Sequence, residues 1–291
     1  MRIQLSDHFT YKKLLRFVLS PILMMVFTSI YGVIDGLFIS NYVGDTAFAA
    51  VNLMMPVFMI MGSIGFMLGT GGTAIVSRLL GEGNSEGANR YFSLFIFTTV
   101  AGGVFFGALG EILIPYIPRW LKADEDMYGY CVLYGRIFLA AMPFFMLQNV
   151  FQAFFTAAEK PMLGFIVTAI AGCSNILLDG VLVGALNTGV WGAAIATAAS
   201  QLVGSVLPII YFARKNNSLL RLGKPKFNFK VLLHACTNGS SEFVNNVSSS
   251  IVSIVFNYQL MRLVGKNGCE DMCPQSIAII SELEEAAERY E

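Results

Sequence analysis

The chain alternates between long apolar runs and short polar connections. A membrane-spanning helix needs about 20 consecutive, mostly apolar residues, and seven runs reach that length. Their approximate bounds are 14–40, 47–79, 92–117, 128–157, 162–186, 190–212 and 236–264. Several are long enough to tilt in the bilayer. The pattern therefore predicts an all-α polytopic membrane protein with seven transmembrane helices.

The positions of Lys and Arg predict the orientation of these helices. Thirteen of them fall in the N-terminal arm and in the second, fourth and sixth connections, whereas the first and fifth connections have none. The third connection has only Arg119 and Lys122, beside three acidic residues. By the positive-inside rule, the N-terminus and the basic sixth connection lie in the cytoplasm. The protein is expected to be a multi-pass protein of the cell (plasma) membrane, in contact with the lipid bilayer.

Composition supports a membrane protein and argues against a nucleic-acid partner. Hydrophobic residues make up 55% of the chain and charged residues 13%, compared with about 25% charged residues in ordinary soluble domains. The mean hydropathy is +0.64. Because the net charge is zero, the chain has no basic excess for binding phosphates along a nucleic acid. The basic sixth connection fits membrane topology and attraction to anionic lipid better.

Residues for enzyme or metal chemistry are not grouped along the chain. Cys131, Cys173 and Cys236 lie in or beside apolar runs, where cysteine usually acts as a small buried hydrophobe. Cys269 and Cys273 lack the spacing of a zinc pair. The two histidines lie in polar segments away from any nucleophile. We therefore expect no enzymatic activity, no metal and no bound cofactor.

A long polar segment divides the chain into parts. Residues 1–213 are expected to form an N-terminal lobe of six helices, 214–235 a basic loop between lobes, and 236–265 the seventh helix. Two lobes of six spans, related as repeats, are a known transporter plan. Residues 266–291 contain seven acidic residues and no apolar run of spanning length. This divergent tail predicts a truncated or rearranged reading frame after the seventh span.

Four polar residues inside the predicted spans are the candidate functional residues. Asp35 and Asp179 both fall in the outer half of outward-running helices, and Thr197 lies at a similar depth. Asn175 shares a helix face with Asp179, since the two are four residues apart. Intramembrane charges are costly and usually functional, so these groups are expected to bind a proton or a small cation. The alternative is a structural role, as polar contacts between helices or as groups that reach toward the interface.

Five segments resemble the multidrug and toxic compound extrusion (MATE) family of efflux transporters. The resemblance covers roughly residues 9–268 and is closest to the MepA-type branch, which is similar to the DinF-type branch in keeping key acids in the N-terminal lobe. The segments are YGVIDGLFISNYVG at 31–44, GTGGTAIVSR at 69–78 with GEG at 81–83, AAEKP at 157–161, NILLDG at 175–180 and GVWGAA at 189–194.

The resemblance implies export of drugs and organic cations in exchange for H⁺ or Na⁺ as the coupling ion. The ion site of the family falls on four residues here, and two more match polar positions of the substrate cavity. The ion-site residues are Asp35, Asn175, Asp179 and Thr197, and the cavity residues are Tyr134 and Asn149. A family member has twelve spans, so a second chain would have to supply the lobe that this sequence lacks.

The expected mechanism is alternating access, in which two lobes rock around a central cavity. Two alternatives stay open at this point. A flippase for lipids or lipid-linked sugars, from the same wider superfamily, would need Arg or Lys in its cavity. Apart from Arg16, Arg78 and Arg262 within two residues of the ends of their runs, the predicted spans have only Arg136. The other alternative is a membrane fragment that does not transport.

Overall fold

The structure is a computed structural model and describes residues 11–214 and 218–264. The described residues contain ten α-helices and no β-strand. The acidic tail at 266–291, with Cys269 and Cys273, lies outside the described residues. The helices are α1 (Tyr11–Tyr42), α2 (Asp45–Gly81), α3 (Ser85–Leu113), α4 (Ile117–Trp120), α5 (Glu125–Ala140), α6 (Met142–Ala157), α7 (Pro161–Asp179), α8 (Val190–Ala213), α9 (Phe229–Asn238) and α10 (Ser240–Val264).

Six of the seven predicted runs correspond to spans that could cross a membrane. Five described helices are long and apolar enough on their own. The α5–α6 pair, bent by 57°, adds a sixth if it is counted as one span. The prediction of an all-α polytopic membrane protein is confirmed. The five single spans are Ile22–Tyr42, Asp45–Gly81, Ser85–Leu113, Pro161–Ala185 and Val190–Ala213.

The bend between α5 and α6 has a local chemical cause. Pro143 has no N–H to donate to the Leu139 carbonyl, so the helical hydrogen-bond ladder stops there. α3 packs against this gap through Gly107, whose missing Cβ would lie 2.7 Å from the Leu139 oxygen. The glycine therefore allows α3 to approach the bend closely.

The seventh run differs from the prediction in two ways. The expected loop at 214–235 is partly helical, because α9 begins at Phe229 and is capped by the Asn228 side chain. The run is also broken at Gly239, between α9 and α10. α10 is rich in Asn and Ser and is not among the described helices that pass the same test of length and apolarity. A seventh membrane span therefore stays a prediction.

The bundle is held by two clusters of buried side chains. One lies among α2, α5, α6 and α8. The other is rich in phenylalanine and contains, among others, Phe92, Phe151, Phe154, Phe155 and Phe212. α1 packs chiefly on α7, and few side chains of its span Ile22–Tyr42 are buried. A space therefore remains between α1 and the rest of the bundle.

Candidate functional site

A cavity of about 900 Å³ occupies the space between α1 and the rest of the bundle. Most of its wall is apolar, with Met, Phe, Val and Leu side chains from α1, α2, α5 and α6. Among the described residues, Asp35 is the one charged residue in this wall. The polar part of the wall consists of Thr28, Ser29, Tyr31, Asp35, Ser40, Asn52, Gln148, Asn149, Gln152, Asn175, Thr197, Ser200 and Gln201.

Asp35 and Asp179 form a pair of neighbouring carboxyl groups behind this wall. Asp35 of α1 lies next to Asp179 and Asn175 of α7. Asp179 is 0% exposed and does not line the cavity itself. Both oxygens of Asp179, Oδ1 of Asp35 and Nδ2 of Asn175 are buried without a hydrogen-bond partner. Within the part of the chain that the structure describes, the groups next to the pair are acidic or neutral, and a proton or a small cation would neutralise it.

The local fold explains how the two carboxyl groups meet. Gly172 faces α1, and a Cβ there would lie 2.7 Å from Phe27 Cε1 and 2.9 Å from Tyr31 Cδ1. The glycine thus lets α1 pack closely on α7. Asp179 is the last α-helical residue of α7, and a π-helical segment, Gly180–Ala185, follows it directly. Such segments occur frequently at functional sites, and this one sets Asp179 at a change of helical pitch.

Thr197 and Tyr134 lie on the other side of the carboxyl pair. The Tyr134 side chain is next to Thr197 and close to Asp35 and Asp179. Tyr134 is 0% exposed and is absent from the cavity wall, whereas Thr197 lines the cavity. The Tyr134 hydroxyl and Thr197 Oγ1 are both buried without a hydrogen-bond partner. Tyr134 therefore belongs with the carboxyl pair rather than with the surface that a substrate would touch.

Asn149, the second predicted cavity residue, does line the cavity. Its amide donates to the Phe145 carbonyl at 2.9 Å, one turn earlier in α6. Gln148 and Gln152 flank it in the wall. Gln152 is 3.4 Å from the Thr168 hydroxyl of α7. The α6 side of the cavity is thus a row of neutral amides.

Among the polar wall residues that sequence reasoning missed are Tyr31 and Gln201. Tyr31 lines the cavity one turn before Asp35, and Gln201 lines it one turn after Thr197. Gln201 is 6% exposed and its Oε1 has no hydrogen-bond partner. The signal that could have found both is the spacing of four residues from a recognised polar residue, which places two side chains on one helix face.

The arrangement can bind a cation in two ways. Carboxylate, hydroxyl and amide oxygens are the donors that small hard cations prefer, and a proton needs only one carboxylate oxygen. No cluster of three or more metal-ligating His, Cys, Asp or Glu side chains occurs among the described residues. The site thus places one buried acidic pair beside a large apolar surface.

Comparison with known proteins defines the class. The model of the MatE family matches residues 21–181, more than half of the chain and including both carboxyl groups. The chain therefore belongs to the MatE family, whose members are membrane transporters. The predicted membership of the MATE family is thereby confirmed.

Individual relatives agree with this assignment. The multidrug export protein MepA of Staphylococcus haemolyticus (strain JCSC1435) is 29% identical over 209 residues, 72% of this chain and 46% of that protein. MepA of Staphylococcus aureus (strain MRSA252) is 27% identical over 257 residues, which are 85% of this chain and 55% of that protein. The chain thus spans about half the length of the curated relatives it matches.

The fold also matches solved transporters. An inward-facing multidrug resistance MATE transporter of the MOP superfamily aligns with a TM-score of 0.77 and 22% identity. The alignment covers 85% of this chain and 58% of that one. At this identity the match concerns the fold alone.

Proposed function

We propose that this chain forms the ion-coupling lobe of an H⁺- or Na⁺-driven antiporter that exports organic cations and other drugs. One observation carries the proposal: the buried Asp35–Asp179 pair, which has no basic neighbour among the described residues, lies at the wall of a largely apolar cavity of about 900 Å³. This volume is in the range of drug-binding pockets, about 300–1,000 Å³. Drugs and organic cations are the substrate class that such a wall fits.

Coupling follows from competition for the same negative charge. With the pair ionised, an organic cation in the cavity is attracted to Asp35 and packs on the methionine and phenylalanine side chains of the wall. When a proton or Na⁺ binds at the pair, that attraction is lost and the cation is released. Alternating access, with two lobes rocking around the cavity, would place the two events on opposite sides of the membrane.

A flippase function has less support. Lipid phosphates and lipid-linked phosphates would call for Lys or Arg in the cavity, because these residues bind phosphate. Within the described residues, the wall of this cavity contains neither. A membrane transporter and not an enzyme is therefore the role that we assign.

Binding measurements on the purified chain in nanodiscs test the proposal. Ethidium should bind about tenfold more tightly at pH 8 than at pH 5, because deprotonation exposes the negative charge. Asp35→Asn should remove this pH dependence. Asp126→Asn, an exposed carboxylate at the start of α5, is the control and should keep it. Equal affinity at both pH values in the unchanged chain would refute the proposal, and a parallel titration with Na⁺ distinguishes the two coupling ions.

A growth assay tests transport by the chain alone. The 291-residue chain and a full-length relative would be expressed separately in a host without its own pumps. Resistance to ethidium that rises only with the relative would favour the non-transporting alternative for the isolated chain. Resistance that appears when the chain is expressed together with the missing half of the relative would support a second chain as partner.

We further propose that the basic ends of the helices face the cytoplasm. The described cations at this end include Arg78, Arg90, Lys160, Arg214 and Lys230, as expected from the positive-inside rule. Cysteine substitutions at exposed positions 224 and 122, each in a variant whose five native cysteines are replaced by serine, provide the test. In intact cells, an impermeant maleimide should label Lys122→Cys and spare Lys224→Cys, and the reverse pattern would overturn the orientation.

A further inference from the structure

The segment between α8 and α10 carries a surface that the transport site does not use. We propose that residues 223–234 form an interfacial anchor, which binds anionic lipid headgroups through lysines and inserts aromatic side chains into the adjoining bilayer. We call these residues the anchor segment. Its proposed occupant is the surface of a membrane that contains anionic lipid. The proposal is independent of the proposed antiport.

The exposed side chains of the anchor segment are of two kinds. Phe227, Phe229 and Leu233 are 72%, 68% and 57% exposed. Lys224, Lys226 and Lys230 are exposed between and beside them. Apolar side chains next to lysines are the composition of helices that lie in the membrane interface.

The charges of this surface are not neutralised by the protein. From residue 218 to residue 238 the sequence contains no Asp or Glu. Within the described residues, none of the three lysines forms an ion pair. By contrast, Arg78 and Arg90 at the same end of the bundle are paired with Glu82 and Glu86, at 2.9 and 2.6 Å. The anchor segment is therefore a local excess of positive charge and complements an anionic surface.

The opposite face of the segment is fixed to the bundle. Backbone amides of Arg221 and Gly223 donate to Asn89 Oδ1 and Ser93 Oγ of α3, at 2.8 and 2.9 Å. In α9, Ala235 is 0% exposed and lies on Gly71 of α2, where a Cβ would overlap the Ala235 carbonyl. The lysines and phenylalanines are thus held on an ordered support, which lowers the entropy lost when they bind.

The depth of this support places it near the membrane boundary. α2 has 37 residues and is about 55 Å long, compared with a hydrocarbon core of about 30 Å. If α2 is centred, each end projects about 12 Å beyond the core. Gly71 lies ten residues before the end of α2, about 15 Å along the axis. α9 therefore meets the bundle close to the level where hydrocarbon gives way to headgroups.

Lipid quenching of a tryptophan tests the proposal on the full chain. Phe229→Trp would be made with Trp120→Phe and Trp191→Phe, so that the probe is the one tryptophan, and the protein reconstituted in phosphatidylcholine vesicles. Brominated phosphatidylglycerol should quench the probe at least twofold more than brominated phosphatidylcholine at the same mole fraction. Lys224→Gln/Lys226→Gln/Lys230→Gln should bring the two lipids to equal quenching, because each lysine is worth about fivefold in affinity for an anionic surface.

A matched variant separates this effect from a general change of charge or fold. Arg78→Gln/Glu82→Gln removes an ion pair at the same end of the bundle and should keep the preference for phosphatidylglycerol. If both lipids quench the probe equally in the protein that keeps all three lysines, charge has no role in the binding. Quenching by neither lipid would mean that protein covers the segment, and it would overturn the proposal as a whole.

Discussion

At the level of single residues, the buried acidic pair is expected to cost stability. Both Asp179 oxygens lack a hydrogen-bond partner, and an unsatisfied buried group costs about 1–3 kcal/mol. Asp179→Asn replaces one of the two neighbouring carboxyl groups with an amide that is neutral at every pH and can donate to Asp35. We expect the melting temperature at pH 8 to rise by several degrees, at about 2–4 °C per kcal/mol for a chain of this size.

The effect of Asp179→Asn on stability should depend on pH. The ionised carboxyl groups are the costly form, so the unchanged protein should lose stability as the pH rises. The Asp179→Asn variant keeps only the Asp35 carboxyl group and should lose less. At pH 5 the two should therefore melt closer together than at pH 8. Asp126→Asn is exposed and serves as control, with a shift of about 1 °C or less. A lower melting temperature for Asp179→Asn at both pH values would mean that the carboxylate is structurally paired.

Tyr134 is expected to act on the ion and not on the drug. Its hydroxyl is buried without a partner beside Thr197, and its side chain does not line the cavity. Tyr134→Phe should change the ethidium affinity by less than about twofold at pH 8, yet shift the pH at which binding is half lost. Anisotropy titrations from pH 5 to pH 9 measure both. If ethidium affinity at pH 8 falls strongly while the pH of half-maximal binding stays the same, Tyr134 contacts the drug and not the ion.

The sequence identified the polar residues within the spans, but not which side chains lie next to them. Asp35, Asn175, Asp179 and Thr197 could be picked out because charges and amides are rare in hydrocarbon. The separation of Tyr134 from the cavity wall could not be predicted, because it depends on which face of the bent α5–α6 pair turns inward. Ion binding by Asp35, Asn175, Asp179 and Thr197 stays a prediction.

At the level of helices, close packing at the α5–α6 bend should depend on Gly107. A Cβ at this position would lie 2.7 Å from the Leu139 oxygen, on backbone that cannot move aside cheaply. Gly107→Ala should destabilise the protein by about 1–3 kcal/mol, the usual cost of overpacking. Gly129→Ala, in α5 with nothing within 4 Å of its Cβ position, should be neutral or stabilising by up to about 1 kcal/mol. Thermal unfolding in detergent measures both, and equal melting temperatures would contradict this account of the bend.

Hydrophobic runs predicted the spans well and their interruptions poorly. A run of apolar residues reports only that a segment can be buried in lipid, so 128–157 read as one helix although Pro143 bends it. The π-helical segment after Asp179 and the start of α9 at Phe229 were missed for a related reason. Both depend on tertiary contacts and capping, which a window of hydropathy does not contain.

At the level of the whole molecule, α10 is attached to the first six spans along α2. Asn257 lies 3.4 Å from the Asn52 carbonyl. At the end of the bundle opposite the basic connections, Lys122 Nζ donates to the Tyr258 hydroxyl at 3.1 Å and lies 5.1 Å from the centre of its ring. The Asn and Ser side chains of this helix suit helix–helix contact rather than lipid, and the sequence alone could show that much. It could not predict Lys122 as the contact, because that residue lies in a loop 136 positions away.

The contact at Lys122 should control how often this end of α10 separates from α2. Lys122→Ala removes both the hydrogen bond and the cation–π contact with Tyr258, together worth about 1–2 kcal/mol at a partly exposed site. Hydrogen exchange of the amides at 252–259 should become about tenfold faster, because local opening is governed by a free energy of this size. Arg119→Ala removes a similar contact at the same end, with Tyr128 at 5.3 Å, but does not touch α10 and should leave this exchange unchanged. If both variants exchange like the unchanged protein, α10 is held by its packing on α2 alone, and the Lys122 contact has no part in opening this end of the bundle.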